Sequence, residues 1–258
     1  MGKIAIIGGT GFKELGIAEE QETKTVDTPY GTSKVEFGTI GGKDVFFIAR
    51  HGEKHKIPPH RVNYRANISA LKILGIERII SINSVGAINE NFKPGDVVIP
   101  NDFVDFSKNR PSTFYDDSTV HIDVSDPYCP EIRKVLIKAA ERVCGNVFDG
   151  GVYLCTEGPR FETKAEIRMF RLLGCDVVGM VGLPEVVLAR EKEMCYASIC
   201  TVTNFGAGIN KDKITISEVR EIIAKNRDYM KEIILEAVTG IHEERGCDCK
   251  KALEDARA

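Results

Sequence analysis

Short apolar runs that stop at glycine or a polar turn, separated by segments of helical spacing, restrict this chain to a narrow set of architectures. Residues 3–7 form such a run and end in Gly8-Gly9, the pattern of a buried strand entering a tight turn. Residues 34–39 and 44–49 flank Gly41-Gly42 and predict a hairpin. Ala66, Ala70, Leu71 and Leu74 carry helical spacing across residues 63–74, and residues 78–83 give another buried strand. This β-α-β alternation is the signature of an α/β domain.

The alternation continues. Residues 97–99 and 152–155 predict strands, with a helix between them marked by Ile132, Val135, Leu136, Ala139 and Val143. Residues 163–173 read as helix and 177–180 as strand, and Pro184 suits the first turn of a helix running to Glu193. Residues 196–202 predict the last buried strand. Ser217 then opens one long amphipathic helix through Ile222, Met230, Ile234 and Ile241. The expectation is a single α/β domain over 1–243, a central mixed β-sheet flanked by helices, with a charged tail over 244–258 that frays unless its cysteines pin it. Residues 103–128, which hold Pro111, Asp116, Asp117 and His121, show no clean period and are expected to act as a lid or subunit contact.

At 258 residues and 43% hydrophobic content the chain can bury a sizeable core. It has no apolar run of about eighteen residues and no signal-peptide layout, so no membrane partner and a cytoplasmic location are expected. A net charge of −3 gives no general attraction to polyphosphate, which turns the expectation from nucleic acid to a small molecule. None of the eight cysteines forms a CxxC pair; Cys247-Asp248-Cys249 stands alone near the chain end. It reads either as two surface thiols or as part of a bridge.

Several residue groups suit anion and base chemistry. Gly8-Gly9-Thr10-Gly11 follows a strand, so its turn can offer backbone N–H groups and a hydroxyl to an anion, or be a plain turn. It lacks a Walker ending, and Glu14 breaks the dinucleotide fingerprint. Arg50 ends a second strand as a natural fork for phosphate. His51, His55 and His60 lack the HExxH order, so no metal is expected. Asn83-Ser84 closes a strand, where ligands of parallel sheets gather. Phe161 can stack on a flat heterocycle and Glu162 can accept from an N–H on its edge, although the pair also reads as core plus a first-turn carboxylate. Asn204 can both donate and accept, which suits a purine presenting N7 and O6.

Two rare strings lie at fixed separation, Glu157-Gly158-Pro159-Arg160-Phe161-Glu162-Thr163 and Gly179-Met180-Val181-Gly182-Leu183-Pro184-Glu185. With Gly8-Gly9-Thr10-Gly11, Arg50-His51-Gly52, Asn83-Ser84-Val85-Gly86 and Thr203-Asn204-Phe205 they span residues 8–206. Together they resemble the trimeric purine nucleoside phosphorylase and methylthioadenosine phosphorylase family. The resemblance implies a nucleoside phosphorylase-like fold. It implies phosphate held by Thr10, Arg50, His51, Asn83, Ser84 and the backbone of Val181, and a nucleoside held by Phe161, Met180, Asn204, Phe205 and Gly206. Asn204 and Glu162 become the catalytic pair at the base.

Three departures shape the expected substrate. Val181 stands where the family usually has Ser or Thr, which removes a hydroxyl from the phosphate end. Members taking 6-aminopurines have Thr-Asp-x-Asp where this chain reads Thr203-Asn204-Phe205-Gly206, so the resemblance implies a 6-oxopurine. Ile216 replaces a histidine that meets the 5′-hydroxyl in inosine-cleaving members, with Val219 three positions on, and His121 matches a residue lent by a neighbouring subunit. The expected activity is therefore phosphorolysis of 5′-methylthioinosine, and of inosine and guanosine, to a free purine and (methylthio)ribose 1-phosphate in purine salvage. The resemblance further implies a homotrimer or dimer of trimers, inorganic phosphate as co-substrate, and no metal or organic cofactor. A terminal CxC in thermophilic members implies a disulfide joining Cys247 or Cys249 to each other or to the Cys195/Cys200 strand. The rivals are a methylthioadenosine phosphorylase, a nucleosidase that uses water, and a non-catalytic nucleoside-binding protein.

Overall fold

Successive residues of a strand face opposite sides of its sheet, and the first strand shows which sides are buried. In β1 (Lys3–Gly8), Ile4 and Ile6 enter one hydrophobic core while Ala5 and Ile7 enter another. A sheet buried on both faces needs helices on both, and the computed structural model supplies them. It describes residues 2–9, 16–17, 22–210 and 213–257. Thr10 lies outside these residues.

The strands are β1, β2 (Glu22–Thr28), β3 (Gly31–Ile40), β4 (Lys43–Ala49), β5 (Ile76–Ala87), β6 (Val97–Ile99), β7 (Asp102–Phe106), β8 (Val147–Asp149), β9 (Val152–Thr156), β10 (Val177–Gly179) and β11 (Cys195–Phe205). They form one mixed sheet in the order β2-β3-β4-β1-β5-β10-β9-β7, with β11, β6 and β8 branching from β5. The helices are α1 (Tyr64–Ile73), α2 (Pro130–Val143), α3 (Lys164–Leu172), α4 (Glu185–Glu191), α5 (Ile216–Lys225) and α6 (Arg227–Gly240). Ile68 and Leu71 of α1 and Val186 and Leu188 of α4 fill the first core. Ile132 and Leu136 of α2 and Ile233, Ile234 and Ala237 of α6 fill the second. This single α/β domain is the expected fold class.

The branch at β5 makes the site. On one edge β5 pairs with β1 as far as Ile7↔Ser81, and with β10 from Val178↔Gly86. Between those registers, Ile82, Asn83, Ser84 and Val85 have no strand on that side among the described pairings, while β11 covers the other edge throughout. A crevice therefore opens along the middle of the sheet, at the carboxyl ends of β1 and β4, where strand order changes and ligands of such sheets bind.

Several expectations need correction. The hairpin forms as predicted, with φ of 55° at Gly41 and 76° at Gly42, the paired left-handed geometry a two-residue turn demands. However, β5 continues through Asn83-Ser84 to Ala87 instead of closing there. Pro184 is the residue before α4, which ends at Glu191. The long C-terminal helix is two helices, opened by a Thr215 capping box with Glu218 and broken at Asn226. Asn226 donates from Nδ2 to the Gly95 carbonyl at 2.8 Å, a tertiary anchor that fixes the break. Residues 103–128 begin as strand β7, and Phe114 and Tyr128 reach the first core.

The tail also packs. Cys247 and Cys249 are buried, Gly246 N–H donates to Glu131, and His121 N–H donates to the Ala256 carbonyl at 2.7 Å. The expected disulfide is not formed, since all eight cysteines are free thiols. Cys195 and Cys247 come within 3.4 Å, but Cys129 stands 3.7 Å from the same sulfur, so the thiols gather as a group instead of pairing.

Candidate active site

A cavity of about 330 Å³ occupies the crevice beside β5. One end is built from the carboxyl ends of β1 and β4. Arg50 follows β4, and its side chain is turned inward by Glu185 at the start of α4. Nε and Nη2 donate to the two carboxylate oxygens at 2.5 and 3.0 Å, and both side chains are almost wholly buried. Nη2 also donates to Ser81 Oγ at 2.8 Å, and the Tyr196 hydroxyl donates to Glu185 at 3.0 Å. Burial alone would lower the Arg50 pKa, but the charge and hydrogen bonds of Glu185 outweigh it and hold the guanidinium above its ordinary range. With that edge engaged, Nη1 is the remaining corner of the fork, at 3.4 Å from the Ile82 carbonyl, and Arg50 lines the cavity.

His51 lies next to it. Its Nδ1 is 2.7 Å from the Ile57 carbonyl, which can only accept, so Nδ1 carries the proton and Nε2 is an acceptor. Burial first, then the adjacent Arg50, lowers its pKa to about 4. At neutral pH it is an uncharged acceptor suited to a P–OH or sugar hydroxyl. His55 stacks on it with ring centroids 4.1 Å apart and reaches the Gly9 carbonyl at 3.2 Å. Asn83 points its side chain away, donating to Ser198 Oγ at 2.5 Å, while Ser84 is exposed on the open edge of β5. Asn83 thus has its side-chain amide engaged within the protein, and the exposed hydroxyl on this edge is that of Ser84.

The other end holds the two strings. Thr163 caps α3 in a capping box with Glu166, and this fixes Phe161-Glu162 just before the helix. Glu162 Oε1 accepts from Thr156 Oγ1 at 2.6 Å, leaving Oε2 to the cavity. Burial raises the Glu162 pKa above the ordinary carboxylate value, with the Thr156 hydrogen bond opposing it. Gly158 has φ of 64°, and a Cβ there would stand 2.7 Å from Met180 Sδ, so only glycine lets the first string lie against the second. Val181 lines the cavity with its isopropyl group, and its carbonyl accepts from the buried Tyr153 hydroxyl.

Asn204 is aimed by a bulge. Val202 pairs with Val85 and Asn204 with Gly86, so Thr203 is an extra residue that turns β11. Asn204 Oδ1 accepts from Thr203 Oγ1 and Nδ2 donates to the Phe205 carbonyl, both at 2.9 Å. One Nδ2 proton and one Oδ1 lone pair remain for a ligand. Ile216 and Val219 of α5 close this side of the cavity.

Three expected site residues do not line this cavity, His121 being one expected to serve a neighbouring subunit. Phe205 packs against the first core, the Gly206 N–H is taken by the Ala87 carbonyl at 2.7 Å, and His121 is exposed outside the cavity. Two residues not singled out for a role hold the site together. Glu185 is one. The other is Arg110, buried under Tyr64, which donates to the carbonyls of Leu183 (2.7 Å), Glu157 (2.8 Å), Met180 (2.9 Å) and Thr156 (3.2 Å). It binds both strings at once. Its signal in the sequence is only an arginine inside an unperiodic segment.

Residues 3–239 match the Phosphorylase superfamily. The chain is 52% identical over 257 residues to a probable S-methyl-5′-thioinosine phosphorylase of Methanopyrus kandleri, with 99% of each chain covered. It is 50% identical over 264 residues to the 6-oxopurine nucleoside phosphorylase of Pyrococcus furiosus, again with 99% of each covered. Among solved structures, methylthioadenosine phosphorylase from Schistosoma mansoni in complex with adenine superposes with a TM-score of 0.93 at 32% identity, covering 100% of this chain and 99% of that one. The family match over nearly the whole chain and these full-length relatives agree with the crevice at β5, and the chain belongs to the phosphorylase superfamily.

Proposed function

We propose that this protein catalyses phosphorolysis of 6-oxopurine nucleosides, with 5′-methylthioinosine preferred and inosine and guanosine slower. The observation that carries the reading is the pairing, in one cavity, of an anion end at Arg50, His51 and Ser84 with a base end at Glu162 and Asn204. A phosphate oxygen attacks C1′ as the C1′–N9 bond breaks, through an oxocarbenium-like state of the kind met in glycoside hydrolysis. Phosphate held beside the ribose stabilises the positive charge more as the bond stretches. The electron pair leaves with the purine, and the remaining Asn204 Nδ2 proton meets N7. Glu162 accepts from N1–H, a donor that a 6-oxopurine has and a 6-aminopurine lacks, which favours this reading over a methylthioadenosine phosphorylase.

Inorganic phosphate is the co-substrate, and each step is complete with phosphate and nucleoside alone, without metal or organic cofactor. Residues 1–243 are the catalytic domain and 244–258 the charged C-terminal tail, packed on it as far as it is described, to Arg257. A homotrimer is supported by His121, exposed outside its own cavity and free to reach a neighbour's. No helix among the described residues is long and apolar enough to cross a membrane, in keeping with work on cytoplasmic nucleosides.

The test is product analysis with methylthioinosine, inosine, guanosine, methylthioadenosine and adenosine, with and without phosphate. Free purine and a sugar 1-phosphate should appear only with phosphate. Equal turnover in its absence would identify a nucleosidase, and preference for the 6-amino substrates would overturn the roles given to Glu162 and Asn204. No turnover at all would leave a binding protein.

A further inference from the structure

Four cysteines distant in sequence meet at one point. Cys129 precedes the first turn of α2, Cys195 opens β11, and Cys247 and Cys249 lie at the start of a short 3-10 turn, Asp248–Lys251. Their four sulfurs all lie within 4.8 Å of one another, and all four side chains are buried. The Cys195–Cys247 and Cys129–Cys247 separations are 3.4 and 3.7 Å. A disulfide needs about 2.05 Å between sulfurs. Four thiolates placed tetrahedrally about 2.3 Å from a zinc ion stand about 3.8 Å from one another. The spacings, from 3.4 Å to no more than 4.8 Å, lie nearer the second arrangement than the first.

We propose that Cys129, Cys195, Cys247 and Cys249 form a structural tetrathiolate site for a zinc ion, which fastens the C-terminal segment to the starts of β11 and α2. Four sulfur donors fill a tetrahedral shell and leave no open position, the mark of a structural and not a catalytic centre. None of the four lines the cavity at β5. Loading replaces four thiol protons with one divalent cation, so four protons are released and the centre is left doubly negative. Two features offset that charge. Cys129 is at the N-terminal end of α2, where the helix dipole favours anions, and Arg190 Nη1 lies 3.9 Å from Cys249 Sγ.

The backbone around the ligands is already held. Arg245 donates to the Glu193 carbonyl at 2.8 Å and to Glu77 at 3.1 Å, and Gly246 N–H donates to Glu131 Oε1 at 2.8 Å. Beyond Cys249 the chain reaches Ala256, whose carbonyl takes the His121 N–H, and Arg257, which bridges Val120. The zinc site thus anchors a segment that in turn holds the His121 loop.

The full-length protein, purified without chelator or reductant, should contain one zinc ion per chain by elemental analysis. Native mass spectrometry should show each chain heavier by one zinc less two hydrogens, the shift a bound divalent cation gives at fixed charge. Cobalt(II) exchanged into the chelator-treated protein should give thiolate charge-transfer bands and the ligand-field bands of a tetrahedral site. Cys247→Ser with Cys249→Ser should lose the zinc and expose residues 244–257 to protease. If that variant does not fold, zinc release from wild type by a chelator, with the same new cleavage, supports the site equally. Metal-free wild type with two disulfides overturns the proposal, as does metal-free wild type with four thiols open to alkylation after denaturation.

Discussion

Arg50 and Glu185 form a two-point ion pair in the wall of the cavity, with nitrogen–oxygen distances of 2.5 and 3.0 Å and both side chains sealed from solvent. The charge nearest the anion end is therefore compensated before phosphate arrives, and His51 beside it is neutral above about pH 4. Under the proposed function, phosphate meets directed groups on Arg50, His51 and Ser84 in place of an excess of positive charge.

Removing one member of a buried pair leaves the other uncompensated, at a cost of about 3–5 kcal/mol. Glu185→Gln should therefore lower Tm by roughly 10 °C in a chain of this size. The uncovered Arg50 charge should bind phosphate more tightly, so phosphate should raise the Tm of the variant more than that of wild type. Thermal melts across a phosphate series check both. A variant that melts with wild type, or gains no more from phosphate, contradicts the proposed compensation of Arg50 by Glu185.

Glu162 gives the base end a pH dependence. Burial raises its pKa, and the carboxylate is the charged, stronger acceptor for the N1–H of a 6-oxopurine. As pH falls through that raised pKa the acceptor is lost, so kcat/KM for 6-oxopurine nucleosides should fall on the acid side, where the profile reports groups of the free enzyme. Glu162→Gln should lower kcat/KM by about 10²-fold or more and remove this limb, leaving the lower one that His51 gives near pH 4. An acid limb unchanged in the variant would exclude Glu162 as its source.

Arg110 tests how far the two strings depend on a common support. Its planar fork reaches three carbonyls of the two strings and that of Thr156 just before the first, and lysine offers a point charge without that plane. Arg110→Lys should shift Met180 and Phe161 enough to cost about 10²-fold in kcat/KM for the nucleoside. KM for phosphate should stay near the wild-type value, because Arg50 and His51 are held by Glu185 and Ile57 instead. Equal losses toward both substrates would show a general weakening of the fold.

The two strings and the strand-end residues were legible because their chemistry is local. Each string is a short continuous run of residues, and an asparagine after a buried strand leaves its mark within a few residues. What escaped is non-local. Glu185 looks like any first-turn carboxylate until Arg50 is seen opposite it, and Arg110 lies in a segment without period. The open edge of β5 results from two other strands stopping short of each other, and the Asn226 break follows from a distant carbonyl. The thiol cluster joins three parts of the chain, and only the adjacent pair at 247 and 249 showed in the sequence. Its expected disulfide came from resemblance, and the structure shows four unpaired sulfurs.

The 5′ end of the nucleoside gives the sharpest test of substrate choice. No residue of α5 is buried, yet Ile216, Val219 and Ile223 all face the cavity, and Ile216 is 53% exposed. An apolar face left open in this way is covered when a ligand arrives. A methylthio group packed there gains on the order of 1–2 kcal/mol from apolar burial. A 5′-hydroxyl in the same place lacks a partner and costs about 1–3 kcal/mol. Asn226 and Arg227 also line the cavity; Asn226 Nδ2 is directed to the Gly95 carbonyl, and any hydrogen bond from the hydroxyl to Asn226 Oδ1 or from Arg227 pulls the gap toward its lower end. Methylthioinosine should then exceed inosine by about 30-fold to 1,000-fold in kcat/KM. Ile216→His should narrow that gap by roughly tenfold or more, chiefly by raising turnover of inosine, because an imidazole supplies the missing partner and removes part of the apolar face. Both substrates measured at saturating phosphate, in wild type and variant, decide the matter. If wild type uses inosine as well as methylthioinosine, α5 does not meet the 5′ group.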